Sequence, residues 1–383
     1  MTTTSRDRVR AALAHREPDR VPFDLGGTRV TGIHARAYER LRPALGLEPR
    51  QARIADLTQQ LAEVEPDVLD ALEADVRLVS PRGAAGYRRE VVERDGHYAY
   101  NDEWGVGRRM PVDGGMYYDS YAPPLYGEID LAAVDAYAWP DAADPARTAG
   151  MGDDARRIAA EGRAVAVGSI CGGLTEGLFK LRGFEEGYMD LAGDPGLARR
   201  VMERVLQVKL AYWERALPEV GETVDVLVEA DDLGGQDRTL FSPRTYRELV
   251  KPLHRELFDY LHARTDAKVF FHSCGAVREL IPDLIEIGVD VLNPVQVSAA
   301  NMDTGELKRE FGRDLVFWGG GVDTQRVLGA GSPAAVREEV LRRVSDLRRD
   351  GGFVFAAVHN IQPNVPAENI LAMRAALREA NGA

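Results

Sequence analysis

The sequence predicts an α/β protein built as a (β/α)8 TIM barrel, with an insertion between the second and third strands. Eight short apolar runs recur along the 383 residues, and each is followed by a helical pattern. The runs are continuously apolar and rich in β-branched or aromatic residues, which is typical of parallel strands covered on both faces. Eight strand–helix units favour a closed barrel. A doubly wound sheet is the alternative, but no glycine-rich dinucleotide-binding turn follows the first run.

The predicted strands occupy the apolar runs in chain order. They are VPFDL (21–25), DVRLVS (75–80), AVAVGSI (164–170), VDVLVEA (224–230), KVFFH (268–272), VDVLN (289–293), LVFWGG (315–320) and FVFAAV (353–358).

Capping residues mark the starts of several helices. Thr4 and the polar residues after it can cap a first helix over 6–15. Two long amphipathic patterns, at 242–264 and 332–350, each begin with a Ser-Pro pair. The serine is the predicted N-cap and the proline takes the first helical position.

The segment 82–160 does not fit the strand–helix repeat. We expect it to be an insertion within a single domain that spans residues 1–383. It contains the stretch YRREVVERDGHYAYNDEWGVGRRMP, which is typical of a hairpin or small sheet, and then a proline-rich stretch. Its position would let it cover the mouth of the barrel as a lid. Trp104, Tyr117 and Tyr118 either form its own small core, which we favour, or act as lid contacts.

Composition and charge exclude some classes of partner. The chain has 48 basic and 61 acidic residues and a formal net charge of −13, so neither nucleic acid nor an anionic membrane is an expected partner. It has only two cysteines, Cys171 and Cys274, which favours a reducing cytoplasm over a disulfide scaffold. We find no signal-peptide apolar region and no apolar run near the roughly 20 residues that span a bilayer. A cytoplasmic protein is therefore expected.

Polar residues follow the predicted strands at their carboxyl ends, where the active sites of barrels form. In chain order they are Arg29, Ser169, Cys171, Glu229, Asp231, Asp232, His272, Cys274, Asn293, Gln296, the Gly319–Gly321 turn, Asp323 and His359. If the barrel forms, these groups surround one cavity, and that convergence is a stronger signal than any single motif. Arg29, Asn293, Gln296 and Asp323 are the candidate substrate-binding residues.

A metal site is the first interpretation of the ending of the fifth strand. His272 and Cys274 are two positions apart, so both side chains can point the same way. Zinc favours cysteine sulfur and histidine nitrogen. His359 could supply a third ligand across the mouth, and a carboxylate after the fourth strand could be the fourth. The simpler interpretation is a buried, hydrogen-bonded histidine beside a packed thiol.

The carboxylates after the fourth strand are candidate catalytic residues. Asp231 and Asp232 could hold a metal or a proton, because adjacent like charges raise one pKa, as a general acid requires. Capping of a loop is the simpler interpretation, and Glu229 is a third candidate. Arg29 could bind a substrate carboxylate or be a surface arginine. We expect Cys171 to be a packed residue, because no histidine lies near it in the sequence.

Several segments together resemble the uroporphyrinogen decarboxylase superfamily. They are RDRVRAALAHREPDRVPFDL (6–25), EADDLGGQDRTLFSPRTYRELVKP (229–252), FFHSCGAVRELIPDLIEIGVDVLNPVQ (270–296), FWGGGVDTQ (317–325) and HNIQPNVPAENILAM (359–373). The superfamily also contains zinc-dependent methyltransferases that move methyl groups between corrinoid proteins and thiols. The resemblance runs nearly end to end, and it implies a (β/α)8 barrel and a homodimer.

The motifs of true decarboxylases are mostly absent. Their N-terminal Met-Arg-Gln-Ala-Gly-Arg stretch is replaced by DLGGTRVTG (24–32), where Arg29 is the one candidate left. Their aspartate after the second strand and tyrosine after the third are replaced by VSPRG (79–83) and ICGGLTEG (170–177). Their late Gly-His-Gly histidine has a counterpart in His359.

The methyltransferase branch matches better. Its His-x-Cys pair after the fifth strand is matched by His272 and Cys274, whereas its second cysteine, near the last strand, is replaced by His359. The resemblance thus implies a zinc-dependent methyltransferase with these three ligands and a small-molecule thiol as acceptor. The donor would be a corrinoid on a partner protein.

Two alternatives remain at this stage. One is a metal-free lyase that acts on a carboxylated small molecule or tetrapyrrole, with Asp232 and His359 as acid–base groups and Arg29 as the carboxylate anchor. The other is a non-catalytic protein that binds a corrinoid or tetrapyrrole.

Overall fold

A curled sheet of seven parallel strands forms most of the barrel wall in the computed structural model, which describes residues 3–382. Residues 1, 2 and 383 of the predicted domain lie outside the described residues. The strands are β1 (Ile54–Asp56), β2 (Leu61–Ala62), β3 (Val76–Val79), β4 (Val92–Arg94), β5 (His97–Asn101), β6 (Gly107–Pro111), β7 (Asp119–Ala122), β8 (Ala164–Gly168), β9 (Val226–Ala230), β10 (Lys268–His272), β11 (Val291–Asn293), β12 (Val316–Trp318) and β13 (Phe353–Val354). The wall runs β3-β8-β9-β10-β11-β12-β13, in chain order, as the sequence predicts.

Helices alternate with the wall strands and cover them. They are α1 (Ser5–Leu13), α2 (Ala35–Ala44), α3 (Pro66–Ala71), α4 (Leu131–Ala136), α5 (Met151–Ala160), α6 (Leu174–Arg182), α7 (Phe184–Gly193), α8 (Pro195–Val220), α9 (Pro243–Thr245), α10 (Lys251–His262), α11 (Ile281–Glu286), α12 (Thr304–Phe311), α13 (Pro333–Leu347) and α14 (Ala367–Ala380). The predicted caps form at Thr4, Ser242 and Ser332. Within residues 3–382, no helix is long and apolar enough to cross a membrane.

The first predicted strand, 21–25, is reduced to one bridge. Phe23 pairs in parallel with Phe355, and the amide of Asp24 donates to the carbonyl of Phe355 at 2.8 Å. Pro22 has no N–H to donate, and the chain turns at Gly26, so a longer ladder cannot form. On its other side, the Asp75 amide donates to the carbonyl of Phe23 at 2.8 Å. This short segment closes the barrel between β13 and β3.

Three aspartates at strand starts fasten neighbouring strands to each other. Asp75, Asp225 and Asp290 directly precede β3, β9 and β11. Their carboxylates accept from the amides of Phe23 (2.8 Å), Val165 (2.9 Å) and Val269 (2.8 Å), respectively. Each Asp-Val pair in the sequence thus adds a side-chain hydrogen bond to the ladder at the amino end of the barrel.

The barrel interior is filled by small and aromatic side chains. Phe270 and Trp318 pack edge to face, with ring centroids 5.4 Å apart, and they share a buried cluster with Val226 of β9. Val9 and Ala12 of α1 belong to the same cluster and are fully buried. Helix α1 therefore seals the amino end of the barrel, and the open end is the one where the strands finish.

The insertion carries a four-stranded antiparallel sheet, β4-β5-β6-β7, between β3 and β8. Tyr100 and Tyr118 are buried and pack edge to face at 5.0 Å, and Trp104 packs against Trp139 at 6.2 Å. The Tyr100 hydroxyl also lies 2.8 Å from the hydroxyl of Thr58, outside the insertion. Trp104 and Tyr118 thus lie in a small core of the insertion, as we favoured, whereas Tyr117 packs edge to face on His34 of the barrel at 6.0 Å and its hydroxyl bonds to Gln362.

The long helix predicted over 242–264 contains an irregular turn. Residues Tyr246–Val250 form a π-helical turn, in which the amide of Lys251 donates to the carbonyl of Tyr246. Pro252 follows and has no N–H for the carbonyl four residues earlier, which favours a change of hydrogen-bond pattern here. After this turn, His254 of α10 is buried near the end of β9.

The substitution Asp75→Ala tests the closure of the barrel. We expect the free energy of unfolding to fall by about 3–5 kcal/mol, because the partly buried guanidinium of Arg8 and the amide of Phe23 lose their shared acceptor. Asp70→Ala is the matched control, since Asp70 pairs with Arg77 and Arg163 while 59% of its side chain is exposed. That change should cost roughly 0–1 kcal/mol. Equal losses in chemical denaturation would contradict the role of Asp75.

Candidate functional site

The strand ends surround a cavity of about 550 Å³ at the open end of the barrel. The barrel contributes side chains that follow five of the wall segments, and the insertion covers the remaining side. The barrel residues include Arg29, Ser169, Cys171, Glu229, Asp232, His272 and His359, and those of the insertion include Arg82, Arg89, Trp104, Arg108 and Arg147. The sequence therefore locates the cavity correctly, at the carboxyl ends of the strands.

A larger and more open cleft, of about 1050 Å³, lies near the amino end. Its charged groups are largely paired, since Arg10 binds Asp225 at 2.6 Å and Lys268 binds Asp290 at 2.9 Å. The mouth of the barrel, with its histidines and thiol, is the better candidate for chemistry.

Three potential metal ligands meet in this cavity. His272, Cys274 and His359 each offer one donor atom, and these atoms all lie within 4.8 Å of one another. The sulfur of Cys274 is 3.3 Å from Nε2 of His272, and the two imidazole rings lie 5.4 Å apart at 66°. One sulfur and two imidazole nitrogens are donors that zinc prefers, and their spacing lets them share one ion. The residues present thus fit the metal that the resemblance implies.

Strand alternation explains why His272 faces the cavity. In β10, Phe270 points into the barrel cluster, whereas Val269 and Phe271 pack outward against the helices. His272 follows Phe270 on the inner side by the two-residue period. Cys274 lies on the next turn, where Gly275 has a φ of +91° and approaches Gly234 so closely that a Cβ would come within 2.3 Å of its backbone.

Burial shifts the pKa values of Cys274 and His359. It raises the pKa of the Cys274 thiol well above its usual value, and the carboxylate of Asp232 adds to that rise. It lowers the pKa of His359 to about 3, with a further contribution from His272. At neutral pH His359 is therefore uncharged and has a lone pair available.

Asp232 is the carboxylate closest to the triplet. One of its oxygens lies 3.7 Å from Nε2 of His272 and accepts from the Cys274 amide at 2.8 Å. Burial raises the pKa of Asp232 against the opposing effect of His272, and nearby Glu176 adds to the rise. Since 42% of its side chain is still accessible, a ligand in the cavity can reach this group.

Asp231 faces the other way. It is fully buried, and its carboxylate accepts from the amides of Thr175 (2.9 Å) and Glu176 (3.0 Å) and from the Thr175 hydroxyl (2.6 Å). His254 Nε2 lies 3.1 Å away on the same carboxylate. Asp231 therefore caps the first turn of α6, and Gly173 leaves the space for it, because a Cβ there would lie 1.9 Å from the carboxylate oxygen.

Glu229 is held by two buried partners. One oxygen pairs with the ammonium of Lys209 at 2.5 Å, and the other accepts from the indole N–H of Trp213 at 2.5 Å. Both partners belong to α8, outside the barrel wall. Glu229 lies at the edge of the cavity, but its negative charge is paired with the Lys209 ammonium on the helix side of the wall.

The four predicted substrate-binding residues fall into two groups. Arg29 is exposed and lines the cavity. The other three are buried and form hydrogen bonds within the protein. Asn293 bonds to His272 at 2.6 Å, Gln296 accepts from the Gly275 amide at 2.8 Å, and Asp323 accepts from the Gln325 amide at 2.8 Å.

Sequence reasoning missed the charged groups that complete the wall. Glu176 and Lys180 of α6 form an ion pair at 2.6 Å. Burial alone would raise the pKa of Glu176, but the Lys180 ammonium lowers that pKa to about 2. Arg82 and Arg89 also line the cavity. Arg82 lies three residues after the end of β3, so the strand-end rule could have found it. Glu176 and Lys180 have the i, i+4 spacing of an ordinary surface pair on a helix, so the sequence alone does not single them out.

The barrel with its open cavity is typical of an enzyme fold, and comparison with known proteins gives its family. Residues 115–380 match the model of the uroporphyrinogen decarboxylase (URO-D) family, so the chain belongs to that family. Most of the four-stranded sheet precedes the matched range. No curated protein matches the chain at a significant level.

Among solved structures, the chain is similar to a methyltransferase from Methanosarcina mazei, with a TM-score of 0.64, 16% identity and 99% coverage of both chains. At this identity the likeness concerns the fold. A D-psicose 3-epimerase solved in the presence of D-fructose is more distant, with a TM-score of 0.32 and 12% identity over 67% of this chain and 86% of that one.

The tight contact at Gly173 gives a testable consequence. Gly173→Ala should destabilise the protein by about 1–3 kcal/mol, because the new methyl group collides with Asp231 and displaces the cap of α6. Gly193→Ala is the control, since a Cβ there meets nothing within 4 Å. Thermal unfolding of both variants measures the difference, and a Gly173→Ala protein as stable as the control would contradict the packing described.

Proposed function

We propose that the protein is a zinc-dependent methyltransferase that moves a methyl group between a corrinoid and a thiol or related acceptor. The observation that carries the proposal is the convergence of His272, Cys274 and His359, whose donor atoms lie within 4.8 Å of one another at the barrel mouth. Membership of the URO-D family and the likeness in fold to a methyltransferase agree with it.

The three residues would hold the ion, and Asp232 would either complete the site or take a proton. Zn²⁺, when bound, would supply the Lewis acidity that keeps a thiol ionised at neutral pH. Asp232 is 3.7 Å from His272 Nε2 and reachable from the cavity, so it is the group we assign to receive the acceptor's proton. Asp231 and Glu229, committed to α6 and to Lys209, would hold the wall in position.

The substrate would be anchored by arginines of the cavity wall. Arg29, Arg82 and Arg89 line the cavity, and none forms an ion pair with another residue in 3–382, whereas Arg108 and Arg147 are paired with Asp102 and Glu103. Arginines without a carboxylate partner favour an anionic group on the substrate. The same observation also supports the second candidate, a metal-free lyase for a carboxylated substrate, with Asp232 and His359 as acid–base groups.

A corrinoid would reach the site from a separate corrinoid-binding protein. The segment 82–160, which covers one side of the cavity, would act as the lid and contribute to the docking surface. Tyr126 of this segment and Phe184 and Met189 of α7 expose 61%, 66% and 60% of their surface, as partner-binding surfaces often do. The homodimer implied by the resemblance stays a prediction.

Metal analysis separates the two candidates. Protein purified without added zinc should contain about one equivalent of metal, and His272→Ala, Cys274→Ser and His359→Ala should each lose most of it, because three protein ligands are needed to retain the ion. Cys171→Ser is the matched control, since Cys171 is the other cysteine of the cavity and should be dispensable for binding. Metal-free protein in which a chelator leaves activity intact would instead support the lyase.

Anion binding tests the arginines. Arg29→Gln and Arg82→Gln should each weaken the binding of succinate or inorganic sulfate about tenfold, because each removes one charge-assisted hydrogen bond. Isothermal titration calorimetry measures the dissociation constants. Arg88→Gln, next to Arg89 but outside the cavity lining, should bind like the wild type. Equal effects at all three positions would argue against a specific anion site.

A further inference from the structure

His272 is held between two partners, one at each ring nitrogen. Nδ1 lies 2.6 Å from Oδ1 of Asn293, and Nε2 lies 3.3 Å from the sulfur of Cys274. A neutral imidazole has one donor nitrogen and one acceptor nitrogen, so the nature of each partner determines which tautomer is present. His272 is 3% exposed, which leaves little room for water to replace either partner.

The orientation of the Asn293 amide is fixed by a backbone group. Its nitrogen donates to the carbonyl of Trp318 at 2.8 Å, and a carbonyl oxygen can only accept. The amide oxygen must therefore face His272. Asn293 is fully buried, so the amide cannot turn over and satisfy both atoms elsewhere.

The Gly319–Gly321 turn, which follows β12, leaves space for the Asn293 amide. Gly319 has a φ of +90°, and a Cβ there would lie 3.1 Å from the Asn293 amide nitrogen. Any other residue would strain the backbone and press on the amide. The Gly319–Gly321 motif thus keeps Asn293 in contact with the Trp318 carbonyl.

The remaining step follows from hydrogen-bond complementarity. Because Oδ1 of Asn293 accepts, Nδ1 of His272 carries the hydrogen, and Nε2 has the lone pair. That lone pair faces the sulfur of Cys274 and the ring of His359. We propose that Asn293 is a positioning residue that locks His272 in the Nδ1–H tautomer and so selects Nε2 as its ligand atom. The ligand role of Nε2 rests on the proposed metal site, whereas the tautomer does not.

Nuclear magnetic resonance of ¹⁵N-histidine-labelled, metal-free protein tests the tautomer directly. The spectrum is recorded near pH 8, where histidines are neutral, and the His272 signals are identified by their loss in His272→Gln. We expect the Nδ1–H pattern in the wild-type protein. An Nε2–H pattern overturns the inference without recourse to any variant, and this outcome is independent of whether zinc binds.

Metal binding tests the consequence. Asn293→Leu should lower the affinity for zinc about 10–100-fold, the usual effect of losing a partner of a metal-bound histidine, and should shift the visible spectrum of the Co²⁺ form. Asn293→Asp keeps the acceptor that faces Nδ1 but loses the donor to the Trp318 carbonyl, so it should retain the Nδ1–H pattern and recover only part of the affinity. Asn369→Leu is the matched control, because Asn369 is an equally buried amide that donates to two backbone carbonyls elsewhere.

The outcomes are distinguishable. Unchanged zinc affinity in Asn293→Leu, or an equal loss in Asn369→Leu, overturns the positioning role. A wild-type protein that binds no zinc contradicts the proposed function and leaves the tautomer measurement standing.

Discussion

The pairing of Phe23 with Phe355 on one side and Asp75 on the other is the contact on which the site depends. His272 and His359 follow strands that are three positions apart in the wall, so in an open sheet they would be distant. Closure curls the wall until their rings lie 5.4 Å apart. The bridge between Phe23 and Phe355, together with the buried carboxylate of Asp75, thus closes the barrel around the cavity.

Three acidic residues, Glu229, Asp231 and Asp232, lie at the end of β9, and their side chains face different surroundings. Val226 and Val228 face the barrel interior, so Glu229 and Asp231 face the helices by the period of two. Each finds a cationic or donor partner there. Asp232 lies beyond the strand, where alternation no longer applies, and is the one that turns to the cavity. Position relative to the strand end, more than residue type, decides which carboxylate is available for chemistry.

The fold and the convergence of His272, Cys274 and His359 were predictable from sequence, because parallel strands place their carboxyl ends on one side. The partners of each polar group were not. Asn293 ends β11 and Gln296 comes shortly after it, as predicted, but nothing in the sequence indicates that Asn293 bonds to His272 of β10 or that Gln296 bonds to the amide of Gly275. The first strand was overestimated because Pro22 reads as apolar, although it cannot donate. Among the cavity arginines that form no ion pair within residues 3–382, Arg29 was predicted, whereas Arg82 and Arg89 were missed since they lie in the insertion.

In the proposed metal site, the imidazole at position 359 would have an electronic consequence. An ion held by one thiolate and two neutral imidazoles carries one more unit of net positive charge than an ion held by two thiolates and one imidazole. It would therefore withdraw more electron density from whatever fourth group it binds. A centre with a single sulfur also has no second coordinating thiol with which to form a disulfide, so oxidants cannot expel the ion by that route. In the proposed site, Cys274 would be the one ligand open to thiol oxidation.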